Sequence, residues 1–375
     1  RTGCTAVLDH AWVPADGFDD HVEAMASAYA DAGIRCGLAP MIQDRDIFES
    51  MAFGDLDAPP PLAPADDPAR LIGAMDRFLT GYADRPCFTP MVGPSAPQRC
   101  SDELMAGLTA LADAKASPFH THVLETRSQV VATRQRYGRS VVEYLDDLGA
   151  LTARTSLAHG VWMDADDIAR VHAADTTIVH NPVSNLRCGS GLLPLAALLD
   201  GDVSVALGAD GAASNDNQNM FEAMKFAALI HTMSGSYRSW PTAEAVWRSC
   251  LTGGARALCA PIGRIAAGHR ADIVLLDTER HVTLDRDALV RSLVFAEHGQ
   301  SVHTVLVDGR VVLEAGVPTS PATDHRDRAR ALQSRIHESL PQRQAILDRY
   351  GPVLGAIHDR DTATPLPTTE RAGRG

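Results

Sequence analysis

The chain has 375 residues, 45% hydrophobic and 22% charged, with Lys+Arg 34 against Asp+Glu 47 and a net charge of −13. That balance excludes a nucleic-acid surface, which needs a clustered positive face, and no apolar stretch reaches membrane-spanning length. The length accommodates a barrel of ~250 residues with a smaller unit beside it, and the chain reads as soluble and cytoplasmic.

Seven short apolar runs follow one another over the first two-thirds of the chain. They are TAVLD from Thr5, IRCGLAP from Ile34, CFTPMVGP from Cys87, PFHTHV from Pro118, TSLAHGV from Thr155, TTIVHNP from Thr176 and VSVALGADG from Val203. Between them, segments such as 101–115 and 127–148 repeat their apolar residues at helical spacing. Strand and helix alternating every ~25–40 residues mark βα units on a parallel sheet. The pattern predicts an α/β fold, a (β/α)8 TIM-like barrel over residues 1–260. A doubly wound sheet fits less well, because no glycine-rich first turn is visible.

After Gly254 the pattern changes. GRIAAGHRADIVLLD from Gly263 and SVHTVLVDGRVVLEAG from Ser301 alternate and turn at Asp-Gly and Glu-Ala-Gly. They predict a small β-sandwich domain over 261–320. An arginine-rich helix is expected over 324–350 and a loose Pro/Thr/Gly-rich tail over 359–375, so that 321–375 form a third segment. The seven cysteines form no CxxC pair, which suits reduced, mostly buried thiols rather than a zinc knot.

Polar residues end or follow six of the seven runs: Asp9, His10, Gln98, His122, His159, His180 and Asp210. In a barrel this is the end where strand ends and loops converge. A metal hydrolase needs neutral imidazoles and a carboxylate to hold the ion, and groups that manage the protons of water. His122, Glu125, His159, His180 and Asp210 are the candidates. Each has a structural alternative. A lone strand-end histidine is more often a hydrogen-bonded structural residue. Asp210, flanked by Gly208 and Gly211, could cap the helix expected over 219–229, and Glu125 suits a helix first turn. His10 and His172 are read as structural. Joint occurrence on one rim favours the functional reading of the others.

HTHVLET, LAHGVWMDADDIARV, IVHNPVSNLRCGSG, VALGADGAASNDNQNMFEAMK and GRIAAGHRADIVLLD occur in that order. Together they resemble the amidohydrolase superfamily, in the branch of cytosine/guanine and S-adenosylhomocysteine deaminases with the triazine hydrolases. The resemblance runs to about Gly316. It implies that His122 is a metal ligand on the fifth barrel strand and that Glu125 shuttles protons to the ring nitrogen and leaving group. It implies that His159 positions the water and helps deprotonate it, and that Asp210 binds metal and accepts the water's proton. Gln98, His180 and Asn185 would bind substrate at the rim. The implied reaction is attack of metal-bound hydroxide on a purine, pterin, pyrimidine or triazine amine with release of ammonia. Removal of chloride or an alkylamine, or a non-catalytic paralogue, are the alternatives.

The family's first strand carries an HxH pair that supplies two more ligands, and it precedes the segment matching TGCTAVLDH. His120 and His122 are not that pair, because the 132 residues from His122 to Gly254 are too few for eight βα units. The first strand is expected upstream of Arg1, and residues 1–375 alone are expected to be inactive. Binuclear members bridge their metals with a strand lysine, whereas the two lysines here, Lys115 and Lys225, fall in predicted helices. One divalent ion is therefore expected, zinc before iron. The expected partners are a small heteroaromatic substrate and further copies of the chain, with neither nucleic acid nor membrane.

Overall fold

The computed structural model describes residues 2–233, 235–280, 285–320 and 326–366. Seven strands stand where the apolar runs predict them: β1 Ala6–Asp9, β2 Arg35–Leu38, β3 Phe88–Pro90, β4 Phe119–Val123, β5 Thr155–His159, β6 Thr177–His180 and β7 Val205–Leu207. All are parallel, in the order β1-β2-β3 and β4-β5-β6-β7. A parallel bridge between Val92 and Phe119 joins the two groups, with His120 N–H donating to Val92 O at 2.9 Å. Strands buried on both faces read as unbroken apolar runs rather than as an alternation, which is why the sequence located them.

Helices cover the outside of this sheet, and the main core fills the space between them. Phe78, Met75, Leu104, Met105, Leu108, Leu145, Leu157 and Ile178 are fully buried there. Ser101 caps Asp102–Ala114 through its hydroxyl and Leu104 N–H. The helix expected over 127–148 is two helices, Arg127–Tyr137 and Val141–Asp147. Gly138 ends the first with a left-handed φ of 69°, and Ser140 caps the second. Asn219, not Asp210, caps Met220–Leu229.

The chain turns sharply after three of the strands. Leu124, His159 and Asp210 all adopt left-handed backbone, with φ of 47°, 74° and 62°. Such conformations cost a non-glycine residue about 1–3 kcal/mol and persist where the surroundings impose them.

The small β-domain is one antiparallel sheet in the order β11-β10-β9-β8, formed by β8 Ile273–Leu276, β9 Val302–Val307, β10 Arg310–Glu314 and β11 Val317–Pro318. Asp308-Gly309 and Ala315-Gly316, all with positive φ, make its tight turns. The helix Arg286–Phe295 packs on this sheet through Val290, Leu293 and Val294. Arg35 at the start of β2 ties sheet to barrel, donating to Asp272 through Nε at 2.8 Å and Nη2 at 2.9 Å, with both side chains buried.

The last helix spans Arg326–Ala363, so the first part of the expected tail is helical. Tertiary contacts explain the extension. Ile357 and Asp361 are buried, Arg360 donates to the carbonyls of Ala52 and Phe53, and Arg127 donates to those of Asp361 and Thr364. Residues 324–325 of the expected helix and 367–375 of the expected tail lie outside the described residues. All seven cysteines are free, but only Cys36 and Cys100 are fully buried, while Cys188 and Cys259 are exposed. Among the described residues no helix is long and apolar enough to cross a membrane.

Candidate active site

In β4 the side chains alternate, so His120 and His122 share a face. They meet different partners. His120 Nδ1 bonds the Ser156 hydroxyl at 2.7 Å, and burial holds its pKa down at about 3. His122 Nδ1 lies 2.7 Å from the Ser95 carbonyl, which can only accept, so Nδ1 carries the proton. Nε2 then keeps its lone pair and makes no hydrogen bond among the described residues. Burial, followed by the nearby His159, lowers the His122 pKa, while the Ser95 carbonyl, Glu125 and Asp210 pull the other way.

His159 ends β5 and stacks on His122, with ring centroids 5.5 Å apart. Its Nδ1 is taken by Asn185 Oδ1 at 2.9 Å, and its Nε2 makes no hydrogen bond among the described residues. His10, read as structural from the sequence, stacks on the other side of His122 at 4.8 Å, and its buried Nδ1 has no partner among the described residues. Burial, then His122 and His120, push its pKa well below the ordinary histidine value. Three imidazoles therefore lie in a row at the rim.

Two carboxylates adjoin this row. Asp210 follows β7; its Oδ2 accepts from the Ser184 hydroxyl and its Oδ1 from Gly211 N–H at 2.6 Å. Glu125 follows β4 and is approached by Gln129 and Ser190. Ser184 and Asn185 both lie on the short helix Pro182–Arg187, so one turn of HNPVSN serves Asp210 and His159 together.

The predicted substrate contacts are placed less centrally. Asn185 is buried against His159, and His180 is fully buried with its Nε2 3.2 Å from that of His231. Gln98, in the 3-10 turn Pro97–Arg99, lines a cavity of about 340 Å³ with Arg45, Glu49 and Arg136, and none of His122, Glu125, His159 or Asp210 lines it. Ser184, Gln129, Ser190 and His231 were not singled out from the sequence. Ser184 and Ser190 both stand inside the quoted motif IVHNPVSNLRCGSG and were the ones open to detection. Among the described residues, no three His, Cys, Asp or Glu side chains gather closely enough to hold an ion.

The amidohydrolase family model matches residues 1–312. A 5-methylthioadenosine/S-adenosylhomocysteine deaminase of Thermococcus onnurineus is 37% identical over 238 residues, 63% of this chain and 56% of that protein. Its counterpart in Thermococcus sibiricus is 38% identical over 318 residues, 84% of this chain and 68% of the relative. The chain thus spans between about half and two-thirds of the length of these relatives. The crystal structure of an adenosine deaminase from Xanthomonas campestris with bound zinc superposes with a TM-score of 0.78 at 26% identity, over 90% of this chain and 72% of that one. With its parallel strands and rim histidines in the same order as the matching motifs, the chain belongs to the amidohydrolase family.

Proposed function

We propose that the chain carries the catalytic barrel of a metal-dependent aminohydrolase that releases ammonia from a heteroaromatic amine, with adenine nucleoside derivatives as the first class to test. The observation that supports this reading is that His122, Glu125, His159 and Asp210 end or follow strands of one parallel sheet at the same end, with the His122 and His159 rings stacked. The names of the relatives favour an adenine ring over a pterin or triazine.

The donors suit a divalent cation. A buried neutral imidazole whose Nδ1–H is fixed by a carbonyl is a typical ligand arrangement, and mixed N/O donors suit zinc. His122 Nε2 and the Asp210 carboxylate would hold it, as part of a larger set. One ion is proposed, with zinc preferred to iron. Lys115 reaches Thr80 and Asp76 at the surface and Lys225 lies in the helix Met220–Leu229, so neither belongs to a strand.

When bound, such an ion supplies Lewis acidity and makes a water molecule nucleophilic at neutral pH. The remaining work falls to side chains. His159, its Nδ1 committed to Asn185, orients the water at Nε2. Asp210 accepts the proton that the water loses. Glu125 gives a proton to the ring nitrogen, takes up the second proton of the added water and passes it to the departing amine, and the proton held by Asp210 returns to Glu125 through solvent. Asn185 and His180 shape the pocket from behind the rim, and Gln98 contacts the substrate at its outer edge. A homo-oligomer is also proposed.

Ammonia release by the metal-loaded full-length protein from 5′-methylthioadenosine, S-adenosylhomocysteine, 5′-deoxyadenosine, guanine, cytosine and a triazine tests the proposal. Turnover of an adenine nucleoside is expected. Silence across the panel, with metal content verified, would refute the aminohydrolase reading.

A further inference from the structure

Glu125 leaves β4 held from two sides. Thr126 caps the helix Arg127–Tyr137 and accepts from Gln129 N–H at 3.3 Å, so Gln129 occupies the third helical position. In a capping box, a glutamine at this position returns to the N–H of the capping residue. Here Gln129 Oε1 reaches one residue further and accepts from Glu125 N–H at 2.8 Å. The same amide also does something that capping does not require: its Nε2 donates to Glu125 Oε2 at 3.4 Å. The Ser190 hydroxyl donates to Glu125 Oε1 at 3.5 Å, and Trp162 Nε1 holds the Ser190 carbonyl at 2.9 Å.

Each carboxylate oxygen of Glu125 therefore faces one neutral donor. Neutral donors fix the direction of a carboxylate and favour its charged form less strongly than an arginine or lysine would. Contacts near 3.5 Å are at the long end of hydrogen-bonding range, as catalytic contacts often are before substrate binds. We infer that Gln129 is a positioning residue for the proton carrier, with Ser190 as its counterpart on the other oxygen. The inference rests on the reading of Glu125 given above.

Gln129→Glu in the metal-loaded full chain separates this role from simple helix capping. The substituted side chain still accepts from Glu125 N–H, and glutamate is a good residue at that helix position, but it has no donor for Oε2. The Tm should stay near that of the parent, KM should move little, and kcat should fall on the order of 10²-fold, as for misplaced catalytic groups. Ser190→Ala should lower kcat by a smaller factor. Placed on top of Glu125→Gln, neither change should lower the residual rate further, because both act through the same carboxylate. Parental turnover in Gln129→Glu, or an equal loss in the Glu125→Gln background, would overturn the inference alone. Full turnover by Glu125→Gln by itself would overturn the proton-carrier reading and this inference with it.

Discussion

The Nε2 atoms of His180 and His231 face each other at 3.2 Å in the interior, where the end of β6 meets the 3-10 turn Ile230–Met233. One ring must donate and the other accept, so protonating the accepting ring at Nε2 would set two donors against each other. Burial, then His231, holds His180 well below the ordinary histidine value, and burial holds His231 at about 4. Both folded pKa values lie below the unfolded value of ~6.5. The unfolded chain therefore takes up protons that the folded chain refuses. The pair's contribution is complete above about pH 6.5 and is lost as the pH falls towards about 4. His231→Gln keeps a hydrogen-bond partner for His180 but does not titrate. Between pH 6.5 and 4.5 its unfolding free energy should fall less steeply than the parent's, by up to about 1.4 kcal/mol per pH unit. Urea midpoints at a series of pH values give the comparison, and equal slopes would refute it.

Ser184 offers a test of the metal reading that needs no substrate. Its hydroxyl donates to Asp210 Oδ2 from the helix that directly follows β6. Partners of metal ligands typically change affinity by 10–100-fold when removed. Ser184→Ala should weaken zinc binding by about that factor, measured by chelator competition, and Ser184→Thr should restore most of it. Unchanged affinity in the alanine variant would mean that Asp210 is not a ligand in the orientation seen here.

These residues differ in how far the sequence revealed them. His122, Glu125, His159 and Asp210 stood out because ionisable groups at the ends of apolar runs are costly unless used or paired. Gln129 looked like any glutamine of a helix first turn, and nothing in the chain links His231 to His180 across the intervening residues. Such pairings depend on how loops return over the rim. The break at Gly138 was legible in principle, since a glycine followed two residues later by a capping serine ends one helix and starts another. The length of the last helix was not, because its final turns are held by Arg127 and by the carbonyls of Ala52 and Phe53 rather than by local preference.

The Arg35–Asp272 pair should prove costly to break. Asp272 is nearly inaccessible, accepts two guanidinium N–H groups and also accepts from Asp308 N–H at 2.8 Å. Removing one member of a buried pair strands the other charge, at about 3–5 kcal/mol. Asp308 stands 3.6 Å from Arg35 and offsets part of that loss, so Asp272→Ala should cost about 3 kcal/mol, read from denaturant midpoints. A cost below about 1 kcal/mol would show that the small sheet is not anchored to the barrel through this pair.

Adjacent glycines against β7 give the sharpest contrast. Gly253 and Gly254 both have ordinary right-handed helical backbone, with φ/ψ of −62°/−47° and −59°/−41°. Neither needs glycine for its conformation. Space separates them: a Cβ on Gly253 would come within 2.0 Å of Val205 O and 2.9 Å of Ala206 Cα, while a Cβ on Gly254 meets no atom within 4 Å. The obstacle at Gly253 is strand backbone, which cannot swing aside as a side chain can. Gly254→Ala should be neutral or stabilise by up to ~1 kcal/mol, the helix-propensity difference. Gly253→Ala must push the π-helical turn Ser249–Gly253 away from β7, at about 1–3 kcal/mol or more. Because β7 leads into Asp210, the same displacement should weaken metal binding in Gly253→Ala and leave it intact in Gly254→Ala. Urea midpoints and zinc content of the two variants, side by side, decide the matter: similar stabilities would refute the close approach of this turn to the strand.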